Sequence, residues 1–571
     1  MIDVYFNHMT AYTLFHRPTF EQKLRSIVDV NHLQAFLSSL FAYALRFRDN
    51  FPLLHTVPSG SRAMLDVSSK LQSKCIEDCL EDDPPLYLLQ SLFLVAFQKL
   101  IYGVRGRTWR LIGDCIRLAY ELKLHLLDVE AARDESEVNH EVDDNDDSVF
   151  IEERRRIWWA IWEMDTFTCT LRKLPSAIDE RLNFTYLPIS DQDWYASNES
   201  RSCFLYPDAT RRWKALAETG NRSAQAWYIV INSYMFDAFQ MGVFPEVWQK
   251  RIGFSTTTGS DAKLLPQMRN YLENCLRCVH NSLPKELDWQ DRFLTFEDIV
   301  SDHGLPTRSS DSARYCIHVM SQLARLMLCI WEINHAPGKA RFTSSSLSTE
   351  MYMATNATQD HIWGRYIDAA TLTANMIRNS SPQHHKFVNP LIVNAIWFAA
   401  ASLVVSKLFG PADFDSRLAQ SNFDLLVVTL NKYEAFWQIP KVLKDKLRNL
   451  EDTLKHLQPK GTITPVNEQL HEQSIAISRK PDDVVPQHQA VFQANLIQPG
   501  QMLPPEQQPY VDLQNQDWLT QGYFDFNSIP SFGPTQAGLI TPFPFDTAFD
   551  PNMASDIDGL NFHDLFAYPY Q

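Results

Sequence analysis

The chain has 571 residues, of which 45% are hydrophobic, 12% aromatic and 21% charged. This apolar fraction is ordinary for globular proteins and excludes a chain that is disordered throughout. Its 18 glycines are few for this length, which disfavours propellers, Greek-key sandwiches and glycine-rich nucleotide-binding sheets. The 52 basic and 68 acidic residues give a net charge of −16. Without a basic stripe, the chain is not expected to bind nucleic acid by itself or to seek a membrane surface.

Hydrophobic residues recur at helical spacing along most of residues 1–460, and strand-like alternation is nowhere sustained. The segments with this periodicity are 33–45, 86–102, 108–122, 151–170, 208–240, 262–282, 311–330, 362–378, 390–408, 421–437 and 442–457. Residues 128–150 are acidic and nearly free of core-forming residues, so we expect a solvated, mobile insertion there. The sequence therefore predicts an all-α fold, a multi-helix body over residues 1–460.

The most apolar stretch, residues 391–405, is shorter than the roughly 20 residues that cross a membrane. It also contains Asn394 and Ser402, so we expect a buried helix. The sequence opens Met1-Ile2-Asp3 without a leader pattern, and its nine cysteines are dispersed. Dispersed, unpaired cysteines are typical of reduced thiols in an intracellular protein.

Enzyme signatures such as G-x-S-x-G, H-E-x-x-H and the phosphate-binding P-loop do not occur in the sequence, and we expect no catalytic activity. The spacings Cys275-x2-Cys278 and Cys75-x3-Cys79 favour packed thiols on helix faces over zinc ligands, because no second ligand pair follows nearby. His384-His385 is expected to be an exposed pair. No cofactor or metal is therefore expected in this chain.

An arginine run, Arg154-Arg155-Arg156, has the composition of a nuclear localisation signal or a phosphate-binding cluster. Ile157, Trp158 and Trp159 follow it directly, which is typical of a helix that packs into a core. We interpret the run as a structural helix N-terminus.

Three sequence segments share their order and spacing with a known regulatory region. They are Tyr5-Phe6 with 15–20; Gly106 with 109–113, 116–119, Leu122, Leu124 and His125; and 152–159 with Asp165 and 174–178. Together they resemble the fungal-specific transcription factor domain, the middle homology region of fungal binuclear-zinc-cluster transcription factors. The motif residues, which we expect to be structural, are Phe15, His16, Arg17, Pro18, Phe20, Trp109, Arg117, Leu118, Arg155, Arg156, Trp158, Trp159, Asp165 and Pro175. The resemblance is dense over residues 1–190 and diffuse to about 457. Lys173-Leu174-Pro175 departs from the Gly-Arg-Pro that the family commonly has.

The resemblance implies a nuclear regulator of RNA polymerase II transcription, in a metabolic or secondary-metabolite pathway. The family usually opens with six cysteines that bind two zinc ions, and no such cluster precedes residue 5 in this sequence. Zinc is expected only in a missing N-terminal module, and DNA contact only through that module or a partner protein. Two alternatives stay open: a DNA-binding-deficient partner or repressor of a related activator, and a helical enzyme or ligand binder of unknown chemistry.

The resemblance does not specify the partners of the helical body. A small-molecule inducer and a homo- or heterodimer with related factors both agree with it. Leu443, Leu447, Leu450, Leu454 and Leu457 follow the 4-3-4-3 spacing of a coiled coil. The stretch covers only about two heptads, whereas about three or four make such a prediction firm. We therefore favour a final helix that docks on the body.

Residues 461–571 are rich in Pro, Gln, Asp and aromatic residues, and no Lys or Arg follows Lys480. Such a segment cannot bury enough surface to offset its ordering entropy, so we predict a disordered acidic and aromatic C-terminal tail. Its acidic residues keep the aromatic ones solvated until a coactivator groove buries them. The candidate activation residues are Trp518, Tyr523, Phe524, Phe526, Leu560, Phe562, Leu565 and Phe566.

Overall fold

The structure, a computed structural model, describes residues 1–50, 60–79, 83–133, 145–243, 261–298, 307–335, 349–411 and 414–457. Within these ranges the chain forms 17 α-helices and short 3-10 turns, and no strand. The prediction of an all-α fold is confirmed for this part of the chain. The predicted tail lies outside the described residues, so its disorder stays a prediction.

The helices follow one another along the chain with these bounds. They are α1 Ile2–His8, α2 Phe20–Ser26, α3 Val30–Ala44, α4 Ser61–Asp78, α5 Leu86–Ile101, α6 Gly106–Glu121, α7 Val129–Arg133, α8 Asn145–Arg172, α9 Asp191–Tyr195, α10 Ala209–Thr219, α11 Ala224–Val243, α12 Asp261–Ser282, α13 Thr307–His335, α14 Thr349–Arg378, α15 Val393–Phe409, α16 Ser416–Trp437 and α17 Val442–Leu457.

Helix boundaries follow local chemistry at several positions. Asp208 caps α10 by accepting a hydrogen bond from the backbone N–H of Arg211 at 2.8 Å. Gly220 ends the same helix in a left-handed conformation with φ 70°, which a glycine adopts at no steric cost. The single helix predicted for residues 208–240 is therefore two helices, α10 and α11.

Two helices are buried around most of their circumference and form the centre of the core. Almost every residue of α5 is buried, as expected for a helix that is apolar on all sides. One described helix, α15, is long and apolar enough to cross a membrane, but 94% of its apolar window, Pro390–Lys407, is buried inside the protein. The prediction of a buried helix over residues 391–405 is confirmed.

The last helix, α17, packs against α15. Leu443, Leu447 and Leu450 are buried, and the Trp397 indole N–H donates a 2.8 Å hydrogen bond to the Leu443 carbonyl. These three leucines face the core rather than solvent, which supports the docked-helix interpretation. The side chains of Leu454 and Leu457 are outside the described set.

The acidic insertion predicted at residues 128–150 is shorter than expected at both ends. α7 occupies Val129–Arg133 and α8 begins at Asn145, while residues 134–144 lie outside the described ranges. The first residues of α8 are Asn145, Asp146 and Asp147. The arginine run therefore lies well inside α8 and not at its N-terminus.

Candidate functional site

Arg156, at the middle of the third motif segment, is completely buried and joins α8 to α9. Its Nε donates to Glu152 Oε1 at 2.9 Å and its Nη2 to the Ile189 carbonyl at 2.7 Å. Nη1 forms an ion pair with Asp191, and the guanidinium stacks on Trp194 at 4.1 Å from the ring centroid. Burial lowers the pKa of Arg156, but Asp191 and Glu152 more than offset that effect and hold it above its ordinary value. The Arg156 side chain therefore stays positively charged, and its hydrogen bonds and ion pairs join α8 to the segment that leads into α9.

The first motif segment is attached to the same place through His16. The His16 backbone N–H donates to Glu153 Oε1 at 3.0 Å, and its ring Nε2 lies 3.2 Å from the Trp194 carbonyl. Burial lowers the pKa of His16, which favours the neutral ring as a donor to that carbonyl. Lys23 of α2 completes the link with an ion pair to Glu153. Segments about 140 residues apart in sequence are thus joined by hydrogen bonds and charge.

Arg155, the neighbour of Arg156, binds the carboxylate of Asp128 with two nitrogens. Asp128 also accepts the backbone N–H of Tyr186 at 2.8 Å, and its side chain is 8% exposed. Burial lowers the pKa of Arg155, but the bonds to Asp128 outweigh it, so the pKa is raised. Asp128 was predicted to lie in the mobile insertion, and this buried pair corrects that prediction.

The loop that follows α8 is organised by Asp165. Its Oδ2 accepts hydrogen bonds from Ser176 Oγ at 2.7 Å, from the Ala177 N–H at 2.9 Å and from the Ile178 N–H at 3.2 Å. Lys173 has φ 53°, the left-handed region that favours glycine. This left-handed backbone explains why the family pattern has a glycine at the position where this chain has Lys173.

The two tryptophans of the third segment, Trp158 and Trp159, are fully buried. Their indole N–H groups donate to Asn183 Oδ1 at 3.0 Å and to the Tyr186 carbonyl at 2.7 Å. Phe15 and Phe20 are buried as well, with ring centroids 5.4 Å apart. These motif residues act as core.

Other motif residues lie at the surface and are not part of this network. Trp109 is 37% exposed and stacks under the Arg172 guanidinium at 5.5 Å. Arg117 is exposed and pairs with Asp114 at 3.3 Å. The remaining four are Leu118, which is partly buried, Pro18, which lies within a 3-10 turn, Arg17, which contacts the Phe6 ring, and Pro175, which is exposed. The activation residues between Trp518 and Phe566 are outside the described part of the chain.

A second buried carboxyl, Glu163, joins the N-terminal segment to the region before α15. Its Oε1 accepts hydrogen bonds from the Tyr12 hydroxyl at 2.9 Å and from Asn389 Nδ2 at 3.3 Å. Burial raises the pKa of Glu163 to about 8, despite the two hydrogen bonds that lower it. The carboxyl is therefore mostly protonated at neutral pH.

Cys275 and Cys278 lie on one helix, α12, as expected, whereas α4 carries Cys75 and ends just before Cys79. Cys75 and Cys275 are buried, and their partners Cys79 and Cys278 are partly buried. Burial raises the pKa of Cys275 to about 11, so its thiol keeps its proton. Among the described residues, no group of three or more His, Cys, Asp or Glu side chains could hold a metal ion.

The histidine pair His384-His385 was predicted to be exposed, and this prediction is wrong. Both rings are buried in a short 3-10 turn between α14 and α15. The Trp437 indole N–H donates to the His385 carbonyl at 2.7 Å, and Tyr315 packs on the His384 ring. Burial lowers the pKa of His384 to about 4. Local composition suggested a surface loop, but aromatic residues from distant helices cover it.

A cavity of about 380 Å³ was not foreseen from the sequence. It lies among α12, α13, α14 and the segment at residues 288–291. Its size falls within the roughly 300–1,000 Å³ of small-molecule sites. The only local signal was the polar and aromatic run Asp288-Trp289-Gln290-Asp291, which no motif distinguishes.

Comparison with known proteins shows which family this part of the chain is similar to. Residues 2–225 match the family described as the fungal specific transcription factor domain, which confirms the resemblance drawn from the three segments. No solved structure matches the chain.

Among curated proteins, the chain is similar to transcription factor tazR of Aspergillus terreus, 29% identical over 123 residues, which are 22% of this chain and 18% of that protein. It is also similar to two Zn(2)-C6 fungal-type transcription factors of Fusarium oxysporum f. sp. lycopersici. For FTF1c the identity is 27% over 197 residues, covering 34% of this chain and 20% of that protein. For FTF1a it is 28% over 184 residues, covering 32% and 16%. The matched region thus spans about a fifth of the relatives' length.

Proposed function

We propose that this chain is the regulatory and activating portion of a fungal transcription regulator that acts in the nucleus on RNA polymerase II genes of a metabolic or secondary-metabolite pathway. The observation that carries the proposal is the match of residues 2–225 to the fungal specific transcription factor domain. The buried links of Arg155, Arg156 and Asp165 support it, because they give the motif residues a shared structural role. The curated relatives are transcription factors by name, so the chain is proposed to be a regulator and not an enzyme.

DNA binding is proposed to come from a zinc-cluster module outside these 571 residues or from a partner factor. The net charge of −16 supports this assignment, since phosphate neutralisation by basic residues supplies most DNA affinity. Any zinc would belong to that module.

The tail is proposed to recruit coactivators through its aromatic and leucine residues. Each large apolar side chain that is fully buried in a groove contributes about 1.5–3 kcal/mol. Ordering a disordered segment costs about 2–5 kcal/mol, which leaves a weak contact suited to exchange between partners. The negative charges mainly steer the encounter and keep the tail soluble.

The test fuses residues 1–571, or residues 500–571 alone, to a heterologous DNA-binding domain upstream of a reporter gene. We expect both wild-type fusions to activate transcription. Alanine at six apolar positions should abolish activation while every acidic residue stays in place. The six positions are Trp518, Phe524, Phe526, Phe562, Leu565 and Phe566.

A matched control replaces Gln514, Asn515 and Gln516 with alanine, which removes neutral polar side chains from the same tail. This variant should activate like the wild type. A silent wild-type fusion, or full activity without the apolar residues, would contradict the activation role. A silent full-length fusion that lowers the output of a co-expressed related activator would favour the repressor alternative.

A further inference from the structure

The cavity between α12, α13 and α14 has an apolar floor and a polar mouth. Leu276, Val319 and Met376 are buried and line it from the three helices. Trp289 is also buried and adds an aromatic wall from the preceding loop. A mostly apolar body with a few polar groups at one end would fit this arrangement.

The polar lining carries charges of both signs. Arg325 projects from α13, and its buried Nε has no hydrogen-bond partner among the described residues. The Arg325 Nη1 donates a long hydrogen bond of 3.4 Å to Gln322 Oε1. A buried donor of this kind is normally satisfied by an acceptor. Asp288 and Asp291 supply two carboxylates from the loop.

His318 adds a neutral hydrogen-bonding group to the cavity wall. Its Nε2 lies 3.2 Å from the Leu287 carbonyl. Burial, together with the neighbouring His280, lowers the pKa of His318 to about 4. The ring is therefore neutral, and with its Nε2–H directed at the carbonyl, Nδ1 remains an acceptor.

The chain just after the loop at residues 288–291 is anchored to α13. Asp311 Oδ2 accepts the backbone N–H groups of Thr295 and Phe296 at 3.0 Å each. Gln290 and Asp291 both have left-handed φ values, 53° and 54°. Side-chain-bearing residues adopt this region at a cost, and such residues cluster at ligand clamps. The loop at residues 288–291 thus carries local backbone strain where it lines the cavity.

We propose that this cavity binds a small zwitterion, an α-amino acid with an apolar or aromatic side chain. The ligand carboxylate would satisfy Arg325, its ammonium group would meet Asp288 and Asp291, and its side chain would lie against Trp289. A ligand with a carboxylate but no ammonium group would leave the carboxylates of Asp288 and Asp291 without a positive partner. A ligand with an ammonium group but no carboxylate would place its positive charge near the Arg325 guanidinium. The inference is independent of the transcriptional role, because binding is measured on the purified chain.

The test adds each of the twenty proteinogenic amino acids separately to purified chain 1–571 and records the melting temperature. Ligands that bind the native state raise it. At least one apolar or aromatic amino acid should do so, and titration calorimetry then gives its Kd. The decarboxylated and deaminated counterparts of that amino acid should bind about tenfold more weakly or worse.

Two variants and one control locate the site. Arg325→Gln should weaken binding of the same amino acid about tenfold or more. Asp291→Asn, at an exposed position with a left-handed φ that asparagine tolerates, should also weaken it. Arg277→Gln removes an exposed arginine of α12 outside the cavity and should leave the Kd unchanged. The proposal is overturned if no amino acid raises the melting temperature, if the deaminated acid binds equally well, or if both cavity variants bind like the wild type.

Discussion

Replacing Arg156 with alanine should destabilise the helical body strongly. The side chain is 0% exposed, bonds Glu152, Asp191 and the Ile189 carbonyl, and stacks on Trp194. Removing one partner of a buried ion pair costs about 3–5 kcal/mol, because the remaining charge is left without compensation. Domains are stable by only about 5–15 kcal/mol. We therefore expect Arg156→Ala to remove a large share of the free energy of unfolding.

The assay is urea unfolding of purified chain 1–571, followed by the fluorescence of its 14 tryptophans. The matched control is Arg181→Ala, which breaks an exposed arginine pair with Asp179 in the same region. Exposed pairs are screened by solvent, so this control should unfold like the wild type. If Arg156→Ala costs no more than Arg181→Ala, the buried network does not stabilise the fold.

A double variant separates lost charge from lost packing. Arg156→Met keeps most of the side-chain volume, and Glu152→Gln removes one of the two carboxylate charges that Arg156→Met would strand, the other being that of Asp191. Because the two residues interact directly, the double variant should cost less than the sum of the two single variants. If the double variant costs as much stability as the two single variants together, Arg156 and Glu152 are not energetically coupled.

Two further changes test a buried acid and a strained loop. The wild type should lose stability as the pH rises from about 5 towards 8, by roughly 1 kcal/mol per pH unit at most, and Glu163→Gln should remove this loss. The reason is that the carboxyl, with its pKa raised to about 8, keeps its proton over most of this range when folded and ionises when unfolded. Urea unfolding across that pH range measures the effect. Lys173→Gly should stabilise the body by up to about 1 kcal/mol, because glycine adopts the left-handed φ of 53° at this position without strain. The gain would be measured as a higher midpoint of urea unfolding.

Each of these changes has a matched control in the same chain. Glu199→Gln, at an exposed position, should keep the pH dependence of the wild type. Lys70→Gly, inside α4, should lose about 1 kcal/mol, because glycine is a poor helix former. A pH profile that Glu163→Gln leaves unaltered, or a destabilised Lys173→Gly, would contradict the reasoning.

Helical periodicity was sufficient for the fold class and for many helix ends. The last helix was predicted at residues 442–457 and is observed at Val442–Leu457. The start of α8 was missed because Asp146 and Asp147 have no apolar periodicity, although carboxylates suit a helix N-terminus. The burial of His384 and His385 was missed because it depends on residues far along the chain.

The candidate site was predictable only in part, for the same reason. Motif spacing drew attention to Arg155 and Arg156, which the structure places in buried ion pairs. Their partners Asp128 and Asp191 lie outside the quoted motifs, and only folding brings them close. The cavity beside Arg325 depends on how three helices and a loop meet, which no sequence pattern records.

The family match ends at residue 225, within the first turn of α11, which begins at Ala224. The structure shows no division at this position. α11 packs against α13, Glu163 bonds to Asn389, and Arg308 donates to the Asn7 carbonyl at 3.1 Å. A recombinant fragment cut at residue 225 would lose these contacts and uncover apolar surface meant for the interior. The matched region, residues 2–225, thus shares its packing with the rest of the helical body. A disruptive substitution near residue 390 should therefore destabilise it as much as one within the matched region.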